Sequence, residues 1–405
     1  MAVTVASSGG DLASSAILAV LGRHGSLSRA EISRMINLSP ATVTQVTKSL
    51  LKRNLIEELE SVPSAGGRPA RLIGLVQATG VAIGVKVAAK LVEIVSVGID
   101  GTILSAHSYP YDAAVQDAFE RLAVLLEGTI TELSTQILGV GVGVAGSVNS
   151  QDSGIVDAPT LGWSDARLGP FLRERLQIPV IVENDVNALA VAERLYGTGQ
   201  TYSSFLTITI GRGIGCGMIV NGELQRGAFG GAGEIGHLPT KIDGPLCDCG
   251  AQGCLETIVG QKALESQARE LGLITESSGL DAVLRLAQEG NAQAEQLFKS
   301  AGVVLGRAIA AVVHIIDPQI VVLLGEGIAA WEFWQPGFEK GFRSGQWATR
   351  KTLPYVVEPW DDDKWALGAA ALVLAAPFDA SNTAGGQGRL VRERLGTSVS
   401  GEIKA

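Results

Sequence analysis

The first 60 residues repeat their apolar positions at helical spacing. In residues 13–21 these positions recur three and four residues apart, which predicts a first helix. Ser28, followed three residues later by Glu31, forms a capping-box sequence that opens a second, shorter helix. Ser39 is a typical N-cap with Pro40 at the first helical position, and apolar residues continue at helical spacing through a third helix. Three helices with this spacing are typical of a helix-turn-helix unit.

Two short runs of strand-forming residues follow the third helix. Leu55 to Glu60 and Arg71 to Leu75 are predicted to be strands. The intervening loop, residues 61–69, contains two prolines and two glycines and is predicted to form a wing. Residues 1–75 are therefore predicted to form a winged helix-turn-helix domain.

The third helix has a polar face whose residue types suit DNA contact. When its apolar residues point inward, small, amide, hydroxyl and lysine side chains point outward. Small residues let a helix enter the major groove, amides and hydroxyls read base edges, and lysines contact phosphates. With one arginine of the wing, the predicted DNA contacts are Ser39, Ala41, Thr42, Thr44, Gln45, Lys48, Lys52 and Arg68. The alternatives are a solvated helix face and a flexible linker that carries an incidental arginine.

Beyond residue 75, apolar runs of strand length alternate with helical patterns. The first half reads as a hairpin at 81–99, a helix at 113–133, strands at 137–144 and 180–182, and a helix at 186–196. The second half reads as a hairpin at 205–220, helices at 263–271 and 279–314, a strand at 319–324 and a buried helix at 365–378. The pattern predicts an α/β body of two lobes, residues 76–200 and 201–378. The polar residues 379–405 are predicted to be a disordered tail.

Composition excludes several classes of protein. The chain has 405 residues, 46% apolar and 18% charged, which excludes a disordered or coiled-coil protein and allows two or three domains. The longest uncharged apolar run, Trp365 to Phe378, has 14 residues, fewer than the roughly 18 to 20 that span a bilayer. Because the N-terminus also lacks a secretory signal, we expect a cytoplasmic protein with no membrane partner. The net charge is −9, but residues 1–75 contain eight Lys and Arg against five acidic residues, so the head is basic.

Asn184 and Asp185 directly follow a predicted buried strand. In an open α/β sheet, ligand-binding groups lie at the carboxyl ends of strands. A carboxylate accepts hydrogen bonds, and an amide both donates and accepts them, so this pair suits the hydroxyl groups of a sugar. The alternative is that Asn184 and Asp185 only cap the following helix.

Three of the four cysteines lie within eight positions, and a histidine lies ten residues upstream. Such ligands, with glycines that allow a knuckle, are typical of a tetrahedral structural zinc site. The predicted ligands of one zinc ion per chain are His237, Cys247, Cys249 and Cys254. The second nitrogen of the histidine would then face a ligand near Glu234 and Glu256. The alternative is a glycine-rich loop with free thiols.

The histidine and the cysteines belong to two linked sequence motifs. Glu-Ile-Gly-His at 234–237, followed by Cys-x-Cys-Gly-x-x-Gly-Cys-x-Glu at 247–256, resembles the signature of the ROK family of repressors, open reading frames and sugar kinases. The resemblance extends from about residue 12 to about residue 376, and the winged head resembles the repressor branch. It implies an actin/hexokinase-like fold with a sugar between the lobes. The residues it places at the sugar are Gly146, Asn184, Asp185, Glu234, His237 and Glu256.

The chain departs from the family's kinases at both phosphate turns. Those kinases have Asp-x-Gly-Gly-Thr in the first hairpin, whereas the aligned residues here run from Lys86 to Lys90 as Lys-Val-Ala-Ala-Lys. Neither an acidic magnesium ligand nor the glycines that let a backbone wrap a phosphate remain. In the second turn, Arg212 replaces a hydroxyl residue. No catalytic residue is therefore predicted, and Asp185 is interpreted as a sugar ligand.

These features predict a DNA-binding transcriptional repressor of carbohydrate genes that responds to a sugar or a sugar derivative. Its predicted partners are a palindromic operator and further copies of the chain, in a homodimer or a homotetramer. One alternative is an ATP-dependent sugar kinase with a DNA-binding head, and another is a regulator controlled by a docked protein partner. The altered phosphate turns argue against the kinase, and the intact polar pocket argues against control by docking alone.

Overall fold

The structure is a computed structural model. It describes residues 13–397 with the exception of residues 15, 19, 22–23, 54, 65–66, 77–79, 348–352 and 379–381. The contacts within the chain divide it into two units. The first unit comprises Met1–Ser203, Gly222–Gly231 and Asp363–Ala405, and the second comprises Ser204–Asn221 and Ala232–Asp362. The last helix of the predicted second lobe thus belongs to the first unit.

The N-terminal part of the first unit is a winged helix-turn-helix fold. Its elements are helix α1, described at residues 13–14, 16–18, 20–21 and 24, strand β1 Leu27–Ser28, helix α2 Arg29–Met35, helix α3 Pro40–Lys52, strand β2 Ile56–Ser64 and strand β3 Gly67–Leu75. The three strands form an antiparallel sheet in the order β1-β3-β2. Both predicted caps are confirmed, because Ser28 and Glu31 form a reciprocal capping box and Ser39 caps α3 with Pro40 in its first turn.

The wing differs from its prediction. Residues 61–69 are predicted as a loop, but β2 continues to Ser64 and β3 begins at Gly67, and these two residues are paired. An antiparallel partner satisfies backbone groups whatever the side chains are, and β2 lies at the edge of the sheet, where a proline such as Pro63 is tolerated. The wing is therefore a long hairpin, and the side chain of Arg68 lies outside the described residues.

The body elements of the first unit begin with a five-stranded sheet and its helices. In chain order they are β4 Val81–Val87, β5 Leu91–Gly98, β6 Ile103–Pro110, α4 Ala118–Glu132, β7 Ile137–Val144, β8 Ser147–Val148, β9 Val156–Ala158, β10 Trp163–Ala166, α5 Leu168–Leu176, β11 Val180–Asn184 and α6 Asp185–Tyr196. The predicted hairpin and the predicted strands of this half are confirmed. The predicted helix 113–133 begins later than expected, at Ala118.

The remaining elements include all those of the second unit. In chain order they are β12 Phe205–Ile210, β13 Ile214–Val220, β14 Glu223–Leu224, α7 Glu256–Val259, α8 Gln261–Glu270, α9 Leu280–Gln288, α10 Ala292–Ile316, β15 Ile320–Leu324, α11 Trp331–Gly345, β16 Tyr355–Val357, α12 Asp363–Ala375 and α13 Gly385–Thr397. Short 3-10 helices occupy Pro159–Leu161, Thr198–Thr201, Ile235–His237, Glu326–Ala330 and Ala376–Phe378.

The large sheet of the first unit has the strand order β11-β7-β4-β5-β6, in which β4, β7 and β11 are parallel. Helices α6 and α12 pack on one another and on this sheet. Gly84 and Gly141 allow α12 to lie directly against the strands, since an added Cβ would lie 2.0 and 1.8 Å from carbonyl oxygens of that helix. The parallel order brings the carboxyl ends of β7 and β11 together, with Val144 opposite Asn184.

In the second unit, β13, β12, β15 and β16 are adjacent in that order, with β12, β15 and β16 parallel. The predicted helix 279–314 is instead two helices, α9 and α10. The chain turns at Gly290, which has a φ of +85°, and Asn291 then caps α10 by accepting from two backbone amides. Helix α10 is the one described helix that is long and apolar enough to span a bilayer, and it packs along α11.

The C-terminal segment also differs from its prediction. Residues 379–405 are predicted to be disordered, but Gly385–Thr397 forms helix α13. Its apolar residues are few, yet Val391 and Leu395 are four residues apart and therefore lie on one face. Both side chains are buried. Tertiary packing of this face stabilises a helix that its composition does not predict.

Candidate functional site

The exposed face of α3 carries the predicted DNA contacts. Ser39, Ala41, Thr44, Gln45, Lys48 and Lys52 are exposed, and Thr42 is half-buried. The hydroxyl of Thr42 lies 2.8 Å from that of Ser39, and the hydroxyl of Thr44 donates to the carbonyl of Pro40 at 2.7 Å. Gln45, Lys48 and Lys52 have no hydrogen bond or ion pair within the described part of the chain. These three side chains can therefore reach a ligand without losing an internal partner.

A three-membered ion network holds α2 against the wing strands. Glu58 on β2 accepts from Arg29 at 2.8 Å and from Arg71 on β3 at 2.6 Å. Arg29 also donates to the hydroxyl of the buried Thr47 on α3, at 3.0 Å. The hydrogen bonds from Arg29 and Arg71 lower the pKa of the Glu58 carboxyl. Sequence reasoning missed this network because its members are far apart in the chain.

The pair Asn184 and Asp185 lies at the carboxyl end of β11, as predicted. The Asn184 side chain accepts from the amides of Val186 and Asn187 at 2.9 and 3.0 Å. It also donates to the carbonyl of Gly146 at 3.0 Å, which joins the ends of β7 and β11. Asn184 thus caps α6 and retains one amide hydrogen for a ligand.

Lys86 forms a buried ion pair with Asp185. Lys86 Nζ donates to Asp185 Oδ2, and both residues are less than a tenth exposed. The same ammonium group lies 4.2 Å from the ring centroid of Trp365, at cation–π distance. The other carboxylate oxygen of Asp185 accepts from the backbone amide of Val186. The sequence alone identifies Lys86 only as the replacement of an acidic residue found in the family's kinases. It does not reveal this ion pair.

A second buried ion pair involves Glu183 of β11, two residues before Asp185. Glu183 is fully buried and is bound by Arg226 Nε. Gln151 and Asn187 donate to the same carboxylate at 2.9 and 3.3 Å. Arg226 also donates to the carbonyl of Val148 at 2.7 Å. The network fixes the strand that ends at Asn184, directly before Asp185.

The predicted zinc ligands lie together in the second unit. One ligand atom from each of His237, Cys247, Cys249 and Cys254 lies within 4.8 Å of the other three. The Sγ atom of Cys247 is 3.5 Å from His237 Nδ1, and the Sγ atoms of Cys249 and Cys254 are 3.7 Å apart. A tetrahedral zinc ion with Zn–S bonds of about 2.3 Å requires sulfur atoms about 3.8 Å apart. The donor set and its spacing therefore fit this metal.

The loop around these ligands depends on glycine and holds the thiols in unequal environments. Gly253 has a φ of +72°, and an added Cβ would lie 1.8 Å from the carbonyl of Lys241. Burial raises the pKa of the Cys247 and Cys254 thiols. The backbone amide of Ala251 lowers the pKa of the exposed Cys249 thiol.

The two nitrogens of His237 face different carboxylates. His237 Nδ1 lies on the cysteine side and is 3.3 Å from Glu256 Oε1, whereas Nε2 is 3.9 Å from Glu234 Oε2. The second nitrogen thus faces Glu234, whereas Glu256, which is also predicted to lie near it, is on the side of Nδ1 and the cysteines. Arg212 is exposed in the turn between β12 and β13.

Comparison with known protein families agrees with this architecture. The model of the ROK family matches residues 81–376, and the model of the MarR family matches residues 12–62. The first match covers the body and the second covers the helices of the head.

Similar full-length proteins are transcriptional regulators by name. The chain is 28% identical to the N-acetylglucosamine repressor of Escherichia coli O157:H7, over 90% of this chain and 93% of that protein. It is 31% identical to a putative xylose repressor of Caldicellulosiruptor, over 76% and 81% of the two chains.

Similar solved structures include a regulator and a kinase. A ROK family transcriptional regulator described as a homologue of the E. coli MLC protein has a TM-score of 0.75 and 24% identity, and the match covers 96% of this chain and 99% of that one. A ROK family glucokinase from Streptomyces griseus, solved with glucose and AMPPNP, has a TM-score of 0.64 and 27% identity over 72% of this chain and 99% of that one. With a matched body, a matched head and regulators as similar proteins, the chain belongs to the ROK family and has the head of its transcriptional repressors.

Proposed function

We propose that the chain is a transcriptional repressor of carbohydrate genes that binds operator DNA through α3 and responds to a sugar. The observation that carries the proposal is the exposed face of α3, on which an amide and two lysines have no partner among the residues that the structure describes. The names of the similar repressors support a sugar or a sugar derivative as the effector. A protein with this function works in the cytoplasm, where the DNA is.

Two substitutions on α3 test the DNA-binding part of the proposal. Gln45→Ala is expected to weaken operator binding by roughly 1 to 3 kcal/mol and to affect random DNA little, because an amide reads base edges. Lys48→Ala is expected to weaken both and to reduce the salt slope by about one unit, because lysine contacts phosphate. Binding is measured by fluorescence anisotropy at several salt concentrations. The control, Lys299→Ala, removes the same charge from the second unit, and equal behaviour of the two α3 variants would contradict the assignment.

We further propose that the chain is not a sugar kinase. The Lys86–Asp185 ion pair supports this proposal, because a general base must be free to accept the proton of the attacking hydroxyl. In this structure the Asp185 carboxylate binds an ammonium group and a backbone amide instead. The altered residues at both phosphate turns support the same conclusion.

The four clustered ligands are proposed to hold one zinc ion with a structural role. Bound zinc would anchor His237 and so fix the direction of its second nitrogen, which faces Glu234. Purified protein is expected to contain about one zinc ion per chain by elemental analysis, and Cys249→Ser is expected to lose it. Cys216→Ser is the matched control, since that thiol is buried elsewhere in the unit. Equal zinc content in the two variants would contradict the assignment.

The sugar contacts stay a proposal and fall into two groups. Gly146, Asn184 and Asp185 lie together at the strand ends of the first unit. Glu234 and Glu256 lie beside His237, which is also one of the proposed zinc ligands of the second unit. We also propose that the chain works as a homodimer or a homotetramer on a palindromic operator, as expected for a repressor with symmetric half-sites.

A further inference from the structure

The side chain of Lys86 reaches Asp185 across a neighbouring strand. Lys86 of β4 lies opposite Gly143 of β7, and β7 lies between β4 and β11 in the sheet. A Cβ added to Gly143 would lie 3.5 Å from the Cα atom of Asp185, so these two residues are neighbours on one face of the sheet. Because Gly143 has no side chain, the lysine can cross β7 and place its ammonium group on the Asp185 carboxylate.

The ammonium group lies where a sugar kinase would hold the reacting hydroxyl. In such a kinase the base carboxylate binds the hydroxyl that accepts the phosphoryl group, and the phosphoryl group comes from the phosphate turns. Lys86 is the first residue of the first turn, and its partner Asp185 has the position of the base. The ammonium group therefore fills the space of the accepting hydroxyl. In a glucokinase this hydroxyl is the one on the exocyclic carbon of glucose.

A ligand group cannot easily displace this ammonium group. Lys86 is 9% exposed and Asp185 is 5% exposed, and Trp365 covers the ammonium group at 4.2 Å. A hydroxymethyl group could enter only by separating two buried charges, which is costly. A phosphate ester in the same place would also meet the negative charge of the Asp185 carboxylate. Both kinds of ligand are therefore disfavoured at this end of β11.

The hydroxyl groups on a sugar ring can still bind beside the ion pair. Each carboxylate oxygen accepts up to two hydrogen bonds. One bond to each oxygen of Asp185 is already made, by Lys86 and by the amide of Val186. Asn184 also retains an amide hydrogen, since only one is donated to Gly146. The site thus keeps its contacts to ring hydroxyls and lacks space for the exocyclic group.

We propose that Lys86 determines the specificity of the sugar contacts in the first unit, and that it selects a pentopyranose over hexoses and hexose phosphates. A pentopyranose has the ring hydroxyls of the related hexose and no exocyclic CH₂OH group. The inference rests on the proposed function, because it names the class of sugar that the proposed site binds.

Calorimetry on the full, unaltered chain tests the selectivity with two matched pairs of sugars. D-Xylose is D-glucose without the exocyclic group, and L-arabinose has the same relation to D-galactose. We expect the better-bound pentose to bind at least about tenfold more tightly than its matching hexose, the size of effect that a misplaced methylene group has in a closed pocket. Equal or tighter binding of the hexose would overturn the proposal, and so would tighter binding of glucose 6-phosphate. If none of these sugars bound, the proposed function itself would be contradicted.

The variant Lys86→Ala tests whether this residue is the cause of the selectivity. Removing the lysine opens space beside Asp185, so we expect the ratio of hexose to pentose affinity to rise at least about tenfold. Lys90→Ala is the matched control, because it removes the same charge from an exposed ion pair in the same turn and is expected to leave the ratio unchanged. An unchanged ratio in folded Lys86→Ala would overturn the proposal.

A second variant covers the case in which Lys86→Ala does not fold. Lys86→Ala/Asp185→Asn leaves no unpaired buried charge and keeps an amide that binds hydroxyl groups. We expect the same rise in the ratio of hexose to pentose affinity, with folding checked by circular dichroism. A ratio equal to that of the unaltered chain would show that Lys86 does not exclude the exocyclic group, and would overturn the proposal.

Discussion

Lys86 shows how one side chain changes the chemistry of a site. In a kinase-like site, a free carboxylate at Asp185 would accept a proton from a sugar hydroxyl. Here the ammonium group of Lys86 neutralises it, and Trp365 covers the same ammonium group at 4.2 Å. Buried charges are stable only when they are paired, so each residue of the pair depends on the other. The pair is a positioning element that holds the end of β11 in place.

Because each residue depends on the other, we expect that removing only one of the two charges strongly lowers the free energy of unfolding. Lys86→Met keeps most of the side-chain volume but leaves the Asp185 carboxylate buried and unpaired. We expect a loss of about 3 to 5 kcal/mol in the free energy of unfolding, measured by urea denaturation. The double variant Lys86→Met/Asp185→Leu is expected to recover most of that loss.

Lys90→Met provides the control, since Lys90 forms an exposed ion pair with Asp112. This change is expected to alter stability little, because solvent screens an exposed pair. If Lys86→Met were no more destabilising than Lys90→Met, the ion pair would not hold β11.

At the scale of elements, the head is held together by side chains that cross between helices and strands. Glu58 on β2 binds Arg29 on α2 and Arg71 on β3, and Arg29 reaches Thr47 on α3. These contacts fix α3 relative to the wing. A recognition helix and a wing can contact one DNA site only if their relative position is fixed.

The lowered pKa of Glu58 gives this network a pH dependence. Because Glu58 is a stronger acid in the folded chain than in the unfolded chain, its contribution is present above its unfolded pKa of about 4.3. The contribution is lost as the pH falls through the lowered folded pKa. We therefore expect the stability difference between the unaltered chain and Glu58→Gln to shrink as the pH falls from 6 to 3, measured by urea denaturation. Glu57→Gln, at an exposed neighbouring position, is expected to show no such trend. A difference that stays constant over this range would exclude a role for the Glu58 charge.

At the scale of the whole molecule, a sugar can control DNA binding only through a difference in affinity between two conformations. Thermodynamic linkage then requires operator DNA to change sugar affinity by the same factor by which the sugar changes DNA affinity. This reciprocity does not depend on which sugar is the effector or on the direction of its action.

Isothermal titration calorimetry with and without operator DNA measures that factor directly. We expect Glu234→Ala to abolish the sugar response and to leave DNA binding without sugar nearly unchanged, because Glu234 lies outside the head. A sugar whose affinity is the same with and without operator would not be the effector. If Glu234→Ala lost DNA binding in the absence of sugar, sugar sensing and DNA binding would not be separate functions of the body and the head.

The sequence by itself determined the features that depend on neighbouring residues. The caps at Ser28 and Ser39, the hairpin of β4 and β5, and the grouping of three cysteines with His237 all follow from short spacings, and the structure agrees with each. Local hydrogen bonds, side-chain periodicity and ligand spacing are sufficient for these features.

Only the tertiary structure decided the features that join distant parts of the chain. Lys86 and Asp185 are 99 residues apart, so no spacing rule connects them. The two wing strands are longer than their sequence predicts because each supplies backbone partners to the other. Helix α13 forms in a polar segment because β7, β11 and a shared apolar cluster bind it. In each case the stabilising partner is brought close by the fold, and its distance along the chain hides it from any local pattern.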